Sequence, residues 1–309
     1  MSNLSVHLKN YLKLRQGLGF KMHNAGMFLR NFVRFVEAKH AYFITTKLAL
    51  QWASQPQNIQ TVQRAYRLGI VRRFAEYVSA IDPRTEVPPP KLLPCRIRRR
   101  TPHLYTQGEV LRLIEAAHQI DPSNQIKGPS LGTLLGLLAT TGLRVSEALA
   151  LDCEDIDLDG QLLTIRLAKG NKSRLVPLHA STVAALQKYA SLRNKVYPRR
   201  THRGFFIWDR GVRLGYDSVN RWFLLVACQI GLRKPGERRG PRVHDLRHHF
   251  AIQTMLRWYR SKTDVEARLP ELSTYLGHVH VRDTYWYLSA VPELLRLATL
   301  RLQRKEARR

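Results

Sequence analysis

The sequence predicts a mainly α-helical protein with a small β-sheet, an α+β fold divided into two domains. Three observations lead to this prediction. Apolar residues recur at helical spacing along most of the chain, runs rich in apolar and β-branched residues occur over 162–178, and a proline-rich stretch ends the first helical pattern. We therefore expect a helical first domain over 1–81, a linker over 82–103 and a second domain over 104–309 that contains the sheet.

The first domain has the pattern of several helices. Apolar side chains recur with the helical repeat over 28–36 and again over 62–78. Thr45 and Thr46 are candidate caps of a short helix between these two, and Asn58 is the candidate cap of the longer one.

The linker is rich in proline and strongly basic. Consecutive prolines favour an extended backbone and exclude a helix interior. No acidic residue occurs over 91–100, where the basic residues are Lys91, Arg96, Arg98, Arg99 and Arg100. We expect this stretch to lie along an acidic partner, and a solvated spacer is the alternative.

The second domain begins with helices. Thr106 and Glu109 have the spacing of a capping box, which starts a helix. An apolar helix over 131–138 is expected to stop near Gly142, and the next helix runs over 144–151.

The pattern then changes to that of a β-hairpin. Strands are expected over 162–167 and 175–178, joined by a turn-forming run over 168–172 with Lys169 at its tip. Phe205–Trp208 has the composition of a further short strand. Helices are expected over 181–192 and from 217 to the C-terminus, broken by a Gly/Pro/Arg loop over 231–242.

Charge restricts the kinds of partner. The chain has 309 residues, with 51 Lys and Arg against 23 Asp and Glu, for a net charge of +28. Since 44% of the residues are hydrophobic, the chain can bury a core and is not a disordered basic tail. A charge this large favours nucleic acid as partner, ahead of an anionic membrane or an acidic small molecule.

Other classes are excluded by what the sequence lacks. No stretch approaches the roughly 18–20 apolar residues of a membrane span, and the N-terminus has no secretory signal pattern. Cys95, Cys153 and Cys228 are far apart, so they predict neither a disulfide framework nor a zinc site. We expect a cytoplasmic protein that uses no metal ion and no other cofactor.

Two motifs place arginine beside an ionisable residue at helical spacing. In TGLRVSEALA, Glu147 follows Arg144 by three residues and can hold its guanidinium, although a simple helix ion pair is the alternative. In HDLRHHFA, His244 and Arg247 share a helix face, which suits a phosphate, although a solvated helix start is the alternative. His248, next to this pair, is interpreted as structural or DNA-facing, as is His249.

Two further motifs complete the pattern. Lys169 lies at the hairpin tip, where a lysine is usually only exposed. Leu276-Gly277-His278 is followed after nine residues by Tyr287, which aromatic core packing would also explain. Tyr285 lies two residues before Tyr287, and the nine-residue spacing favours Tyr287.

Taken in order, these motifs resemble the tyrosine recombinase (phage integrase) family. The similarity extends over the whole chain, with the closest agreement at TGLRVSEALAL and HDLRHHFA. The resemblance implies an N-terminal helical core-binding domain and a C-terminal catalytic domain, as in the simple Xer-like, Cre-like or transposon-associated members. It also implies site-specific recombination that serves DNA integration, transposition or resolution, in the bacterial cytoplasm and in association with the nucleoid.

The same resemblance implies the role of each motif residue. Tyr287 would attack a DNA phosphodiester to form a 3′-phosphotyrosine, with Lys169 as the acid for the 5′ leaving oxygen. His244 would assist proton transfer, as a base toward the tyrosine hydroxyl. The nonbridging oxygens would be held by Arg144, Arg247 and His278, with Glu147 bracing Arg144.

These roles agree with general chemistry. A phosphodiester is anionic and repels nucleophiles, so neutralising its oxygens is the main catalytic task. A tyrosine hydroxyl has a pKa near 10 and must lose its proton as it attacks. Besides the linker cations already named, we predict that the side chains contacting DNA are Lys172, Arg174, Arg238, Arg239 and Arg242.

The resemblance also predicts an assembly. Strand exchange needs two duplexes and four nucleophiles, so a homotetramer on a double-stranded recombination site is expected, with the helix over 292–306 docking onto a neighbouring protomer. Packing of this helix on its own domain is the alternative. Whether companion recombinases take part is left open.

Three other functions compete with this one. A topoisomerase IB-like enzyme or a resolvase would use the same chemistry with a different outcome. A non-enzymatic basic DNA-binding protein would not need all six catalytic residues together. An RNA-binding protein has only the charge in its favour, since the sequence has no RNP-like aromatic motif.

Overall fold

The computed structural model describes residues 3–55, 57–95, 101–166, 173–199, 202–237, 239–261 and 263–306. They form two compact units, Met1–Arg100 and Thr101–Arg309. Both are mainly helical, and the second contains a small three-stranded sheet, which confirms the predicted fold class. Among these residues, no helix combines the length and the apolar character needed to cross a membrane.

The first unit is a bundle of helices around an aromatic core. Trp52, Phe32 and Phe74 are fully buried at its centre. Thr45 caps the third helix by accepting a hydrogen bond from the Leu48 N–H at 3.2 Å, as predicted. The prediction that Asn58 caps the fourth helix is wrong, because that helix begins three residues later. The four helices are α1 (Asn3–Gly17), α2 (His23–Ala38), α3 (Thr46–Ser54) and α4 (Thr61–Ser79).

The first part of the predicted linker packs against this helical unit. Arg72 on α4 donates from Nε to the Pro88 carbonyl at 2.7 Å and from Nη2 to the Pro89 carbonyl at 2.8 Å. Glu86 accepts from the Thr46 N–H at 2.8 Å and so holds the start of α3. The prolines are excluded from a helix interior, so their carbonyls need hydrogen-bond donors from elsewhere. Arg72 supplies these donors, which explains why the extended segment belongs to the first unit.

Several helices of the second unit pack against α6. The predicted capping box is confirmed at the start of α5, where the Thr106 N–H donates to Glu109 at 2.7 Å and the Glu109 N–H donates to Thr106 Oγ1 at 3.1 Å. Leucines along α6 are fully buried, so this helix is central to the core. The helices are α5 (Gln107–His118), α6 (Lys127–Thr141), α7 (Val145–Ala150), α8 (Ala180–Val196), α9 (Tyr216–Gln229), α10 (Asp245–Arg260), α11 (Val265–Leu276), α12 (Arg282–Ala290) and α13 (Pro292–Glu306).

The sheet is antiparallel and has the order β1-β2-β3. The predicted hairpin forms β2 (Leu162–Ile165) and β3 (Arg174–Pro177), paired so that Leu163 faces Val176. A strand that was not predicted, β1 (Ile156–Asp157), pairs with β2. The expected strand at Phe205–Trp208 is wrong: these side chains are buried, but the backbone makes only an isolated bridge, through Ile207.

The last four helices enclose a separate apolar cluster. Met255 of α10, Leu276 of α11, Tyr287 of α12 and Leu294 of α13 are all buried in it. Within this single chain, α13 packs against α10 and α12. This is the arrangement given above as the alternative to docking of the helix over 292–306 onto a neighbouring protomer.

Candidate active site

The site begins where α6 ends. Gly142 adopts a left-handed conformation with φ of 63°, which terminates α6 and allows the chain to reverse into α7. Arg144 precedes α7 directly, and its backbone N–H donates to Glu147 Oε2 at 3.0 Å. Its Nη1 donates to Glu147 Oε1 at 2.6 Å, so the predicted bracing contact is present.

A second arginine binds the same carboxylate. Arg174 on β3 donates from Nη1 and Nη2 to the two oxygens of Glu147, at 3.1 and 2.8 Å. Its Nε donates to the carbonyl of Tyr275 at 2.9 Å. We predicted that Arg174 contacts DNA, whereas the structure directs its guanidinium to Glu147 and to α11.

Glu147 is therefore a carboxylate held between two cations. Its side chain is only 6% exposed. Burial alone would raise the pKa of this carboxyl, but hydrogen bonds from Arg174 and Arg144 lower the pKa below its ordinary value. Glu147 stays ionised at neutral pH and fixes both guanidinium groups.

The turn after α11 brings the arginines together. Arg144 Nη2 donates to the Gly277 carbonyl at 2.6 Å, and Arg247 Nη2 donates to the neighbouring Leu276 carbonyl at 2.6 Å. Arg247 Nη1 also donates to the Gly142 carbonyl at 2.7 Å. Gly277 has φ of 67°, and a Cβ there would lie 2.8 Å from Arg174 Nη1, so this turn requires glycine.

The cluster has an excess of positive charge. Arg247 is only 3% exposed, and its pKa falls to about 10 because of burial and, next, the charge of Arg144. It remains protonated at neutral pH. The carboxylate of Glu147 pairs with Arg144 and Arg174, whereas the guanidinium of Arg247 donates to backbone carbonyls. An anion placed between the guanidinium groups would be strongly favoured.

The two predicted histidines lie beside these arginines. His278 Nδ1 is 2.8 Å from the hydroxyl of the buried Thr284, and its pKa falls to about 4 through burial and the charges of Arg247 and Arg144. His244 precedes α10 and is exposed, yet the packed protein around it and the charge of Arg247 lower its pKa as well. Both imidazoles are neutral at neutral pH.

Tyr287 completes the cluster. Its ring lies nearly parallel to that of His278, with 6.4 Å between centroids and 26° between planes. Tyr287 is 2% exposed, whereas Tyr285 is 47% exposed. The structure therefore brings Tyr287 to His278 and Arg247, as the nine-residue spacing predicts.

One contact at this tyrosine was not predicted. His248 Nδ1 lies 3.0 Å from the Tyr287 hydroxyl. His248 was interpreted as structural or DNA-facing, but it follows His244 by four residues and so shares its helix face. That spacing was the signal in the sequence that could have identified it.

The remaining predicted residues lie at the surface or outside the described chain. Lys91 and Arg239 are exposed, and Arg242 binds Asp245 at 2.8 Å. No group of three or more potential metal ligands occurs among the residues that the structure describes. The predicted residues outside the described ranges are Arg96, Arg98, Arg99, Arg100, Lys169, Lys172 and Arg238.

Residues 104–293, which contain all of this cluster, match the model of the phage integrase family. The chain belongs to this family. It is 43% identical to y4rB of Sinorhizobium fredii, which carries an integrase/recombinase name, over 99% of this chain and 98% of that protein. It is 33% identical to the tyrosine recombinase XerD of Mycobacterium tuberculosis, over 73% of this chain and 68% of that protein.

Solved structures of recombinases have the same fold. The XerA recombinase is similar with a TM-score of 0.51 and 21% identity, over 97% of this chain and 98% of that one. The Tn1549 transposon integrase, solved with transposon right end DNA, is similar with a TM-score of 0.66 and 14% identity, over 96% and 98%. This recombinase is accordingly an enzyme of site-specific DNA recombination that cleaves and rejoins DNA. Nothing in these similarities supports the topoisomerase-like, resolvase or non-enzymatic alternatives.

Proposed function

We propose that this recombinase cleaves DNA with Tyr287 as nucleophile and forms a 3′-phosphotyrosine. The observation that carries the proposal is the convergence of Arg144, Arg247 and His278 on the turn at 276–278, with Tyr287 stacked beside it. Positive groups and a nucleophile of this kind, fixed in one place, are what phosphoryl transfer requires.

Each group then has a chemical role. Arg144 and Arg247 hold the nonbridging oxygens of the scissile phosphate, where loss of one such donor costs about 10²–10³ in rate. If the Thr284 hydroxyl donates to His278 Nδ1, the ring proton of His278 lies on Nε2 and serves as a further donor to the phosphate. Lys169, outside the described residues, is proposed to protonate the 5′ oxygen, and His244 to assist proton transfer.

Because the phosphotyrosine conserves the energy of the broken bond, rejoining needs no nucleotide cofactor. The proposed chemistry uses protein side chains alone.

We propose a homotetramer on its DNA site. The λ integrase, similar to this chain with a TM-score of 0.58 and 19% identity, has been solved as a tetramer bound to a Holliday junction. In this proposal α13 leaves its own α10 and docks onto the α10 of a neighbour, and both units of the chain contact DNA. The basic residues over 91–100, with Lys172, Arg238, Arg239 and Arg242, bind the phosphate backbone, and this places the protein at the nucleoid.

The test is covalent capture. A recognition site is first selected from random duplex DNA by the protein's own binding, then prepared with a nick that releases the cleaved 5′ end. Wild-type protein and Tyr285→Phe should give a denaturant-resistant adduct, and Tyr287→Phe should give none, because loss of the nucleophile removes the covalent pathway. An adduct that persists in Tyr287→Phe would refute the assignment.

A further inference from the structure

His248 occupies the position on α10 directly after Arg247, and its ring lies between groups of the active site. It meets His244 edge to face, with 4.8 Å between centroids and 87° between planes, and it meets Tyr287 with 5.4 Å and 64°. The ring of Trp286 also lies beside it, with 5.7 Å between centroids. These contacts fix the ring so that Nδ1 lies 3.0 Å from the nucleophilic oxygen.

We propose that His248 is a further catalytic residue of this recombinase, and that its Nδ1, rather than the neighbouring His244, accepts the hydroxyl proton of Tyr287 as that oxygen attacks DNA. The inference rests on the proposed role of Tyr287. In the step, the bond from Tyr287 Oη to phosphorus forms and the bond from phosphorus to the 5′ oxygen breaks. The phenolic proton passes to His248 Nδ1, and the 5′ oxygen takes a proton from the acid assigned to Lys169.

The surroundings keep His248 ready to accept a proton. Burial and, next, the neighbouring His244 lower its pKa to about 4, so the ring is neutral at neutral pH. In the tautomer that carries the ring proton on Nε2, Nδ1 has a free lone pair directed at the Tyr287 hydroxyl, and we assign this tautomer to His248. The ionisable groups that act on this ring are His244, Asp245, Arg242, Arg247 and Tyr287.

Substrate would strengthen this base. Without DNA, a weakly basic imidazole leaves the tyrosine protonated and buried. A phosphate bound at Arg247 and Arg144 brings negative charge close to the ring, which raises the pKa of His248 toward the ordinary histidine value and makes it a better acceptor. Activation of the nucleophile is thereby coupled to the arrival of DNA.

The sharpest variant is His248→Asn. Its amide oxygen can accept the same hydrogen bond near the Nδ1 position, yet it does not take a proton at these pH values. His249→Asn is the matched control, because His249 is the next residue of α10 and its ring faces Tyr105 at 6.4 Å. His248→Ala shows the effect of removing the hydrogen bond as well, and thermal unfolding of each variant identifies any that fail to fold.

The measurement is the rate of adduct formation on the nicked site as a function of pH. We expect His248→Asn to be slower by about 10²–10⁴, the usual size of a general-base contribution. Its rate should rise about tenfold per pH unit toward the tyrosine pKa near 10, because only the phenolate then reacts. His249→Asn should retain the wild-type rate and profile.

A substrate with a bridging 5′-phosphorothiolate separates the base from the acid, because its sulfur leaves without a proton. This substrate should restore Lys169→Ala and leave His248→Asn slow. A folded His248→Asn with the wild-type rate and pH profile would overturn the proposal, as would its rescue by the phosphorothiolate. Failure of the proposed function is a different result, since it appears as an adduct that survives Tyr287→Phe.

Discussion

At the scale of single residues, the active site lowers the pKa of two histidines well below the value that they would have in water. The pKa of His248 and that of His278 both lie at about 4, because burial and positive neighbours disfavour the imidazolium. An unfolded chain would give both residues a pKa near 6.5. Folded and unfolded protein therefore bind different numbers of protons below that pH.

This difference predicts an acid-sensitive second unit. The stability that these histidines contribute is fully present above pH 6.5 and is lost progressively as the pH falls toward 4, since only the unfolded chain takes up the protons. Urea unfolding followed from pH 8 to pH 4 should show a falling free energy of unfolding. The double variant His248→Asn, His278→Asn should show a smaller fall, and an unchanged pH dependence would contradict the prediction.

Gly277 is the residue on which the arginine arrangement depends. Gly277→Ala would place a Cβ 2.8 Å from Arg174 Nη1 in a backbone with φ of 67°. Gly231→Ala is the matched control, because Gly231 has φ of 75° and nothing within 4 Å of a Cβ. Both variants should lose about 1–2 kcal/mol in unfolding free energy through the left-handed backbone, but only Gly277→Ala should also slow adduct formation. Equal cleavage by the two variants would show that the turn does not position the arginines.

At the scale of elements, β3 is connected to the active site through Arg174. Its side chain binds Glu147 on α7 and the Tyr275 carbonyl on α11, so the sheet braces the same carboxylate that holds Arg144. The strand that follows the proposed acid Lys169 in the sequence is thereby anchored to the arginine cluster. Because its guanidinium is bound in this way, Arg174 differs from the exposed cations that are expected to bind the DNA backbone.

A comparison of two arginines tests this separation. Arg174→Ala should slow cleavage by about 10²–10³, the cost of a misplaced oxyanion donor, while the salt dependence of DNA binding stays close to that of the wild type. Arg239→Ala, at an exposed position, should instead reduce the log–log salt slope by about 0.9 with little change in the cleavage rate. If Arg174→Ala lowers the salt slope in the same way, Arg174 contacts phosphate directly.

The helices and strands also show which features the sequence could predict. Patterns that depend on neighbours in the chain predicted the cap at Thr45, the box at Thr106 and the end of α6 at Gly142, because each is settled within one helical turn. The strand β1 has two residues, too few for any periodicity, and forms only because β2 lies beside it. Phe205–Trp208 has strand composition but pairs with no strand in the part of the chain that the structure describes, so the apolar composition alone misled the prediction.

The active site follows the same rule. Arg144 with Glu147, His244 with Arg247, and His278 with Tyr287 are each encoded by local spacing, and the structure assembles all of them. The contact from Arg174 to Glu147 joins residues 27 positions apart, and that from His248 to Tyr287 joins residues 39 apart. Contacts of this range depend on the packing of elements. For His248 the sequence offers only an indirect signal, which is its place four residues after His244 on the same helix face.

At the scale of the whole molecule, the net charge of +28 is distributed over both parts of the chain. Residues 1–90 contain 13 basic and 4 acidic residues, a net of +9, and the rest of the chain carries +19. A few of these cations form the cluster around Glu147, where the proposed function gives them one phosphate to bind. Most of the others are suited to nonspecific attraction along the DNA backbone, so both units are expected to contribute to binding.

The proposed docking of α13 onto a neighbouring protomer can be tested with Arg260 and Glu293. Arg260 on α10 donates to Glu293 on α13 at 2.7 Å, and both side chains are exposed. A swapped helix reuses the contact it makes within its own chain, so the same pair would meet across two protomers.

In a background with Cys95→Ser, Arg260→Cys and Glu293→Cys are made in separate chains and mixed. A flexible bis-maleimide should join the two chains only when the selected DNA site is present, because assembly on DNA brings the helix of one protomer to its neighbour. The double variant in one chain should instead cross-link internally without DNA. Absence of the linked dimer on DNA, with the internal cross-link intact, would show that α13 stays on its own domain.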